Sequence, residues 1–263
     1  DCRRAAAGCA AAVMTAAVSV GAAGLKDRPW ASVTGNLTMN AAMLEAFSQA
    51  GVGRVVFVGS ATVYQPFDGS IAEDQLDLNQ DPHSAYLGVG WAMRYLEKLC
   101  LFWHKATGIR FGVVRAANIY GPWSRFDPAT ANVIPALIRK AVARQDPFEV
   151  WGSPGVGRDV IFYRDFGRAV VRLLQSDVEY DVFNIGSGLK ATVADMVQAA
   201  LAAAGHIPGK VVYLGDQPTT IASRSLDCSK AARLLGWQCE TPLAEGVART
   251  AAWWRDNQTR WSK

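Results

Sequence analysis

The sequence predicts an α/β fold, a doubly wound parallel sheet carrying a smaller C-terminal α/β lobe, on three observations. Runs rich in apolar and β-branched residues recur without charge, as in Val55-Val56-Phe57-Val58 and Phe111-Gly112-Val113-Val114, which is how strands covered on both faces read. Long helical stretches separate them and end at glycine. Beyond about residue 123 the simple alternation gives way to a denser mixture of short elements.

Taken in order, an Ala-rich helix end precedes a strand at 12–16 (Ala12-Val13-Met14-Thr15-Ala16) and a glycine loop, Gly21-Ala22-Ala23-Gly24. A helix over 31–50 sets Asn40, Met43, Leu44 and Phe47 on one face and stops at Gly51. A strand at 54–59 leads through a loop to a helix from about 85 to 107, closed by Gly108. A strand at 110–115 then runs into the turn-forming Asn118-Ile119-Tyr120-Gly121-Pro122. Strands separated by helices of this length imply parallel crossover units. A helix near 132–144, a strand at 148–151 and a turn at 152–155 depart from that alternation. A helix at 164–175, a strand at 181–185, a helix at 192–204, a strand at 210–214 and a helix at 243–257 follow. The expected partition is 1–122, with about 160–186, for the main domain, and 123–159 with 187–263 for the lobe.

At 263 residues and 28.3 kDa the chain can bury one large core or a main domain with a lobe. Hydrophobic residues make up 50% and charged residues 19%, which excludes general disorder. The net charge is +4, but Lys and Arg are scattered without a run of five; nucleic acid is not an expected partner, whereas a pocket for an anionic small ligand is compatible. The five cysteines are dispersed, form no C-x-x-C pair and are accompanied by only three histidines in the whole chain, so no metal site is expected and reduced thiols in the cytoplasm are. The uncharged stretch from Ala5 to Leu25 follows Arg3-Arg4 as in a signal or a membrane span. It is mostly Ala and Gly, whose transfer into a bilayer is poor, so no membrane association is expected.

The chemistry concentrates around Ser60-Ala61-Thr62-Val63-Tyr64 and Pro82-His83-Ser84-Ala85-Tyr86. A serine at a strand end and a tyrosine opening the next helix can hydrogen-bond one substrate hydroxyl together. Further markers stand in order: Asn36 with Leu44-Glu45-Ala46, Asn118 to Pro122, Arg164-Asp165, Phe183-Asn184-Ile185-Gly186-Ser187-Gly188, and Leu235-Gly236-Trp237. In register, these residues resemble the extended short-chain dehydrogenase/reductases that act on nucleotide sugars: epimerases, dehydratases and GDP-L-fucose synthases. The resemblance to the synthases rests on Ala16 to Ala22, on Phe126-Asp127-Pro128 with Val133-Ile134-Pro135-Ala136-Leu137, and on Val150-Trp151-Gly152-Ser153 with Arg158.

That resemblance implies a Rossmann-like main domain and hydride transfer between NAD or NADP and a nucleoside-diphosphate sugar. It implies that Ser60 hydrogen-bonds the reacting oxygen and that Tyr86 is the general acid or base. Chemistry agrees: hydride transfer at a sugar carbon needs a proton to leave or join its oxygen, and a phenol with a pKa of about 10 needs a nearby cation to do so readily. The cofactor would lie along Ala16, Ala17, Val18, Ser60, Tyr86, Ala117, Asn118 and Ile119. The sugar nucleotide would meet Thr62, Asn118, Asn132, Val133, Trp151, Arg158 and Arg224, with arginine suited to grip a diphosphate bidentately. A homodimer through the helix after Tyr86 and the helix at 31–50 is a further family-level expectation. Other readings stand beside these: Ser60 as a strand-end cap, Tyr86 as an interfacial tyrosine, Asn118 to Pro122 as a tight turn, Trp151 as lobe core, and Arg158 and Arg224 as surface arginines. Asn36 reads as a structural amide.

Three departures from the family pattern stand out. Gly90 occupies the position, one turn after Tyr86, where the family carries a lysine that lowers the phenol's pKa and holds a nicotinamide ribose. Arg94 is a distant substitute, expected as an exposed helix residue. Thr62 and Asn132 stand where the synthases carry their cysteine and histidine acids, so double epimerisation by that route is not expected, and Thr62 agrees with the S-A-T-V-Y form of the sugar 4-epimerases. The G-x-x-G-x-x-G loop and its following acid are absent, which implies a preceding segment of roughly 50–60 residues, the size of one mononucleotide-binding half. A catalytically impaired or non-catalytic sugar-nucleotide-binding relative, or a fragment, is the alternative.

Overall fold

The computed structural model describes residues 1–18, 30–215 and 224–261. Helix α1 (Cys2–Ala6) precedes strand β1 (Ala11–Met14), and α2 (Ala31–Ala50) leads to β2 (Arg54–Ser60). A short β3 (Gly69–Ile71) comes before α3 (Leu87–Thr107), β4 (Arg110–Ala116) and β5 (Asn118–Tyr120). The chain continues through α4 (Val133–Val142), β6 (Phe148–Trp151), β7 (Gly157–Arg158), β8 (Val160–Phe162) and α5 (Tyr163–Gln175). Next come β9 (Tyr180–Ile185), β10 (Ala191–Thr192), α6 (Val193–Ala204) and β11 (Val211–Leu214). Last are β12 (Arg224–Leu226), α7 (Ser229–Leu235) and α8 (Leu243–Asn257).

The main sheet has the order β1-β2-β4-β9 and is parallel throughout. Val13 lies opposite Val56, Val56 opposite Gly112, and Val113 opposite Val182. Because successive side chains point to opposite faces, β2 and β4 feed two cores at once. On one face Val55, Phe57, Phe111 and Val113 pack against Leu44 and Phe47 of α2 and Leu96 and Cys100 of α3. On the other, Val56, Val114, Phe183 and Ile185 meet Phe166, Ala169 and Leu173 of α5, with Leu235 and Trp237. This two-sided cover is why those strands lack polar alternation.

A third core unites α4, α6 and α8 through Leu137, Ile138, Met196, Val197, Val247 and Trp254. Phe126 stacks on Trp254 with ring centroids 4.2 Å apart, and β6 pairs in parallel with β11. A further small sheet, β10-β7-β12-β3, draws β3 to the segments around residues 158 and 225.

The long expected elements appear within a few residues of their expected bounds. The strand expected at 12–16 spans Ala11–Met14, and the expected turn at 118–122 begins as a strand, β5, paired with β8. The glycine loop at 21–24 lies outside the described residues. Among the described residues, no helix is long and apolar enough to cross a membrane, and no three metal-ligating side chains cluster.

Asn36 is the structural amide its sequence context suggests. It is buried in α2, and its side chain accepts from Val18 N at 2.7 Å and donates to Val18 O at 3.0 Å. Arg54, also buried, donates to Leu173 O and Val178 O and so satisfies carbonyls at the end of α5.

Candidate functional site

Strand ends set the position of the site. Ser60 ends β2 and Ala116 ends β4, and beyond these carboxyl ends lies an open cleft of about 510 Å³. Ser60, Ala61 and Thr62 form one side with Tyr86, and Ala116, Ala117 and Asn118 form the floor. Arg158, Asp159, Arg224, Ser225 and Leu226 make the facing wall.

Ser60 has an extended backbone, and its Oγ accepts from Thr62 N at 3.2 Å, closing the single helical turn at 61–63. The strand-end cap is thus realised, and it leaves the hydroxyl proton available as a donor. Beside it, Thr62 Oγ1 is buried without a hydrogen-bond partner. Tyr86 is half-buried, just ahead of α3, its amide donating to His83 O at 2.7 Å.

No ammonium can reach the cleft from position 90 in this arrangement. A Cβ on Gly90 would lie 2.5 Å from Pro82 Cβ, 2.7 Å from Pro82 Cγ and 2.7 Å from Thr62 O. Val89 and Met93, on adjoining helical positions, pack into the first core. Arg94 corrects its sequence reading. It is not exposed but 2% accessible, donating from Nε to Val63 O and from Nη1 to Gln80 O, both at 2.6 Å. Its guanidinium carbon lies 4.6 Å from the ring centroid of Trp91. Arg94 therefore joins the turn after Ser60 to the loop that leads to Tyr86.

The facing wall is cationic. Arg224 lies opposite Arg158 between the neighbouring strands β12 and β7. Burial pulls the Arg224 guanidinium below the usual arginine range; the Tyr86 phenol opposes that pull and the charge on Arg158 adds to it. Two adjacent guanidiniums at the edge of a cleft favour an anion between them. Asn118 holds its place through two bonds to one carbonyl, its N and its Nδ2 both donating to Asp159 O, at 3.2 and 3.1 Å.

Behind Ser60 a buried polar cluster fixes the end of the sheet. Arg115 donates to both carboxylate oxygens of Glu97, at 3.0 and 2.8 Å, and to the Tyr64 oxygen at 3.0 Å. Tyr64 donates to Asn184 Oδ1 at 2.6 Å. Burial pushes the Tyr64 phenol up to about 12, against the lowering influence of Arg115.

Of the residues singled out in the sequence, Ser60, Thr62, Tyr86, Ala117, Asn118, Arg158 and Arg224 meet around the cleft. Others do not line it. Ala16, Ala17 and Val18 lie on the exposed stretch after β1. Ile119 packs against the core on the α5 side of the sheet. Asn132 is exposed ahead of α4, and Val133 packs into the core of the lobe. Trp151 is 58% exposed at the end of β6, which also excludes its reading as lobe core. Sequence reasoning passed over Asp159; its signal was an acid beside Arg158 at the head of the apolar run Val160-Ile161-Phe162.

Known proteins are similar to this chain over most of its length. The GDP-L-fucose synthase of Escherichia coli (strain K12) is 26% identical over 246 residues, covering 86% of this chain and 74% of that protein. The UDP-glucuronate 4-epimerase of Thermodesulfobacterium geofontis is 26% identical over 247 residues, covering 94% and 73%. Among solved structures, a dTDP-glucose 4,6-dehydratase double mutant from Streptomyces venezuelae, with NAD and DAU bound, superposes with a TM-score of 0.84 at 26% identity, over 99% of this chain and 77% of that one. MoeE5 in complex with UDP-glucose and NAD gives 0.83 at 26% identity, over 98% and 83%. The match to a family model runs over residues 2–186, from α1 through the parallel sheet to the end of β9 and its following glycine. With that match added to the doubly wound sheet and the cleft at its carboxyl ends, the chain belongs to the NAD dependent epimerase/dehydratase family.

Proposed function

We propose that the cleft binds a nucleoside-diphosphate sugar beside NAD or NADP and supports hydride transfer at a sugar carbon. The observation that carries this reading is the meeting, in one cleft, of a hydroxyl pair (Ser60 and Tyr86) with a guanidinium pair (Arg158 and Arg224). The small side chains of Ala61, Ala116 and Ala117 leave the space over the strand ends to a flat ring, so the lining fits the nicotinamide end of such a cofactor. Ala117 and Asn118 would border it, and Ala16 to Val18 would approach the rest. When bound, the cofactor supplies or accepts the hydride.

This chain's own groups manage the proton and the charge. Ser60 donates its hydroxyl proton to the reacting oxygen, and Tyr86 gives or takes the proton that this oxygen exchanges. Arg158 and Arg224 hold the diphosphate bidentately and fix the sugar against the hydroxyl pair. Thr62 adds a hydroxyl toward the sugar, and the lobe formed by 123–159 and 187–263 covers it from the other side. Leu87, Trp91, Tyr95 and Phe102 are exposed along α3, which supports a homodimer through that helix and α2.

Pro82 and Gly90 favour a second reading, in which the sugar nucleotide is bound but not turned over. Calorimetry with UDP-, dTDP- and GDP-sugars, paired with single-turnover NADH fluorescence, separates the two. Binding with hydride transfer supports the first reading, and binding with a silent cofactor supports the second. No binding by any of these ligands overturns both.

A further inference from the structure

We propose that Asp159 is a positioning residue that sets the spacing of Arg158 and Arg224 in the cleft. This deepens the anion-binding part of the reading above and rests on it. Asp159 follows Arg158 in the chain and is only 4% exposed, although it lines the cleft. Its Oδ1 accepts from Ser187 N and from Ser187 Oγ, both at 2.7 Å. Its Oδ2 accepts from Gly188 N and from Leu226 N, both at 3.1 Å. Its main-chain oxygen takes the two donors of Asn118. One residue thus gathers β5, the loop after β9 and β12.

The ladder between β7 and β12 needs that help. Among the described residues the two strands are in register at one pair, Arg224 with Arg158, and that pair carries like charges. Like charges directly opposite each other weaken such a pairing and do not fix its spacing. The carboxylate fastens the strands a second time: Asp159, the next residue after Arg158, accepts from the main-chain N of Leu226, two residues after Arg224. Packing around the carboxylate is equally specific. A Cβ on Gly186 would lie 2.5 Å from Asp159 Oδ2, so the backbone before Ser187 approaches as only glycine allows.

All four partners of the carboxylate are donors, which makes asparagine the informative replacement. An amide keeps the shape but turns an NH₂ toward two N–H or O–H groups, leaving only one oxygen to accept. The test is a double-mutant cycle read by calorimetry with uridine diphosphate. It compares the wild type, Asp159→Asn, Arg158→Gln with Arg224→Gln, and the combination of all three.

We expect Asp159→Asn alone to weaken binding on the order of tenfold, and to add almost nothing once both arginines are gone, since coupled sites are not additive. Wild-type affinity in a folded Asp159→Asn protein overturns the proposal, as does the same loss in the arginine-free background. If Asp159→Asn does not fold, Ser187→Ala, which removes one donor to the carboxylate, takes its place with a smaller loss expected. If the wild type itself does not bind uridine diphosphate, the anion-site reading fails. The Nε–Hε signals of Arg158 and Arg224 then decide the positioning role alone: displacement by Asp159→Asn supports it, and unchanged signals overturn it.

Discussion

Pro82 stands where any side chain of residue 90 would have to go, its ring carbons 2.5 and 2.7 Å from the place of a Cβ on Gly90. The family pattern puts a lysine at this position, and the chain has closed over its absence with a proline and with the carbonyl of Thr62. Gly90→Lys is therefore expected to destabilise the protein by about 1–3 kcal/mol, the ordinary cost of over-packing, without raising the rate of hydride transfer. Urea midpoints and NADH fluorescence measure the two effects. A Gly90→Lys protein as stable as the wild type and faster in hydride transfer contradicts this account.

Ser60 and Tyr86 make separable contributions if the cleft turns substrate over. Tyr86→Phe should lower single-turnover hydride transfer by about 10²–10⁴-fold, the usual scale for a lost acid–base group. Ser60→Ala should have a smaller effect, because its hydroxyl assists a proton that Tyr86 moves. Equal affinity for the sugar nucleotide in both variants would place the loss in the chemical step. Activity that survives Tyr86→Phe would remove this tyrosine from the mechanism.

Glu97 and Arg115 form an ion pair with 7% and 6% side-chain exposure. Glu97→Gln leaves a buried guanidinium without its counter-charge and should cost about 3–5 kcal/mol, measured by denaturant unfolding. Replacing both partners by apolar residues of similar size should cost far less. Equal losses from the single and the double replacement would show that the pair matters for shape alone.

Tyr64 predicts a loss of stability in alkali. Its phenol is held at about 12 in the fold, whereas an unfolded tyrosine titrates near its ordinary value of about 10. Between these values the folded state keeps a proton that the unfolded state has released, so unfolding becomes easier as pH rises. The slope expected for this one group is about 1.4 kcal/mol per pH unit. Urea titrations from pH 9 to 11 should show it in the wild type and a shallower slope in Tyr64→Phe; identical slopes would sink the assignment.

The main sheet was legible because β2 and β4 are long, apolar and separated by helices that end at glycines. The strands that build the cleft's cationic wall were not. β7 and β12 have two and three residues, too few to show any period, and they exist through their partners rather than their composition. Arg94 was misread for a related reason. Arginines usually face water, and this one is buried because the carbonyls of Val63 and Gln80, at 31 and 14 residues' remove, turn toward it. Gly90 reads in the sequence as a missing charge; only packing shows that Pro82 occupies the space. The same limit hid Asp159, whose donors lie 28, 29 and 67 residues away.

The gathering at Asp159 also bears on how the molecule is made. Residues 118, 159, 187 and 226 must all be in place before the cationic wall exists, whereas the helices around the sheet form from near neighbours. Loop-closure cost grows slowly with separation, and sheet pairs such as Phe111 with Tyr180 lie as far apart in the chain, so it is the late position of β12 that sets the order. The cleft is therefore expected to be among the last parts of the molecule to mature. During synthesis it would have to wait for β12 to leave the ribosome, after the last strand of the sheet beneath it, β9, has already emerged.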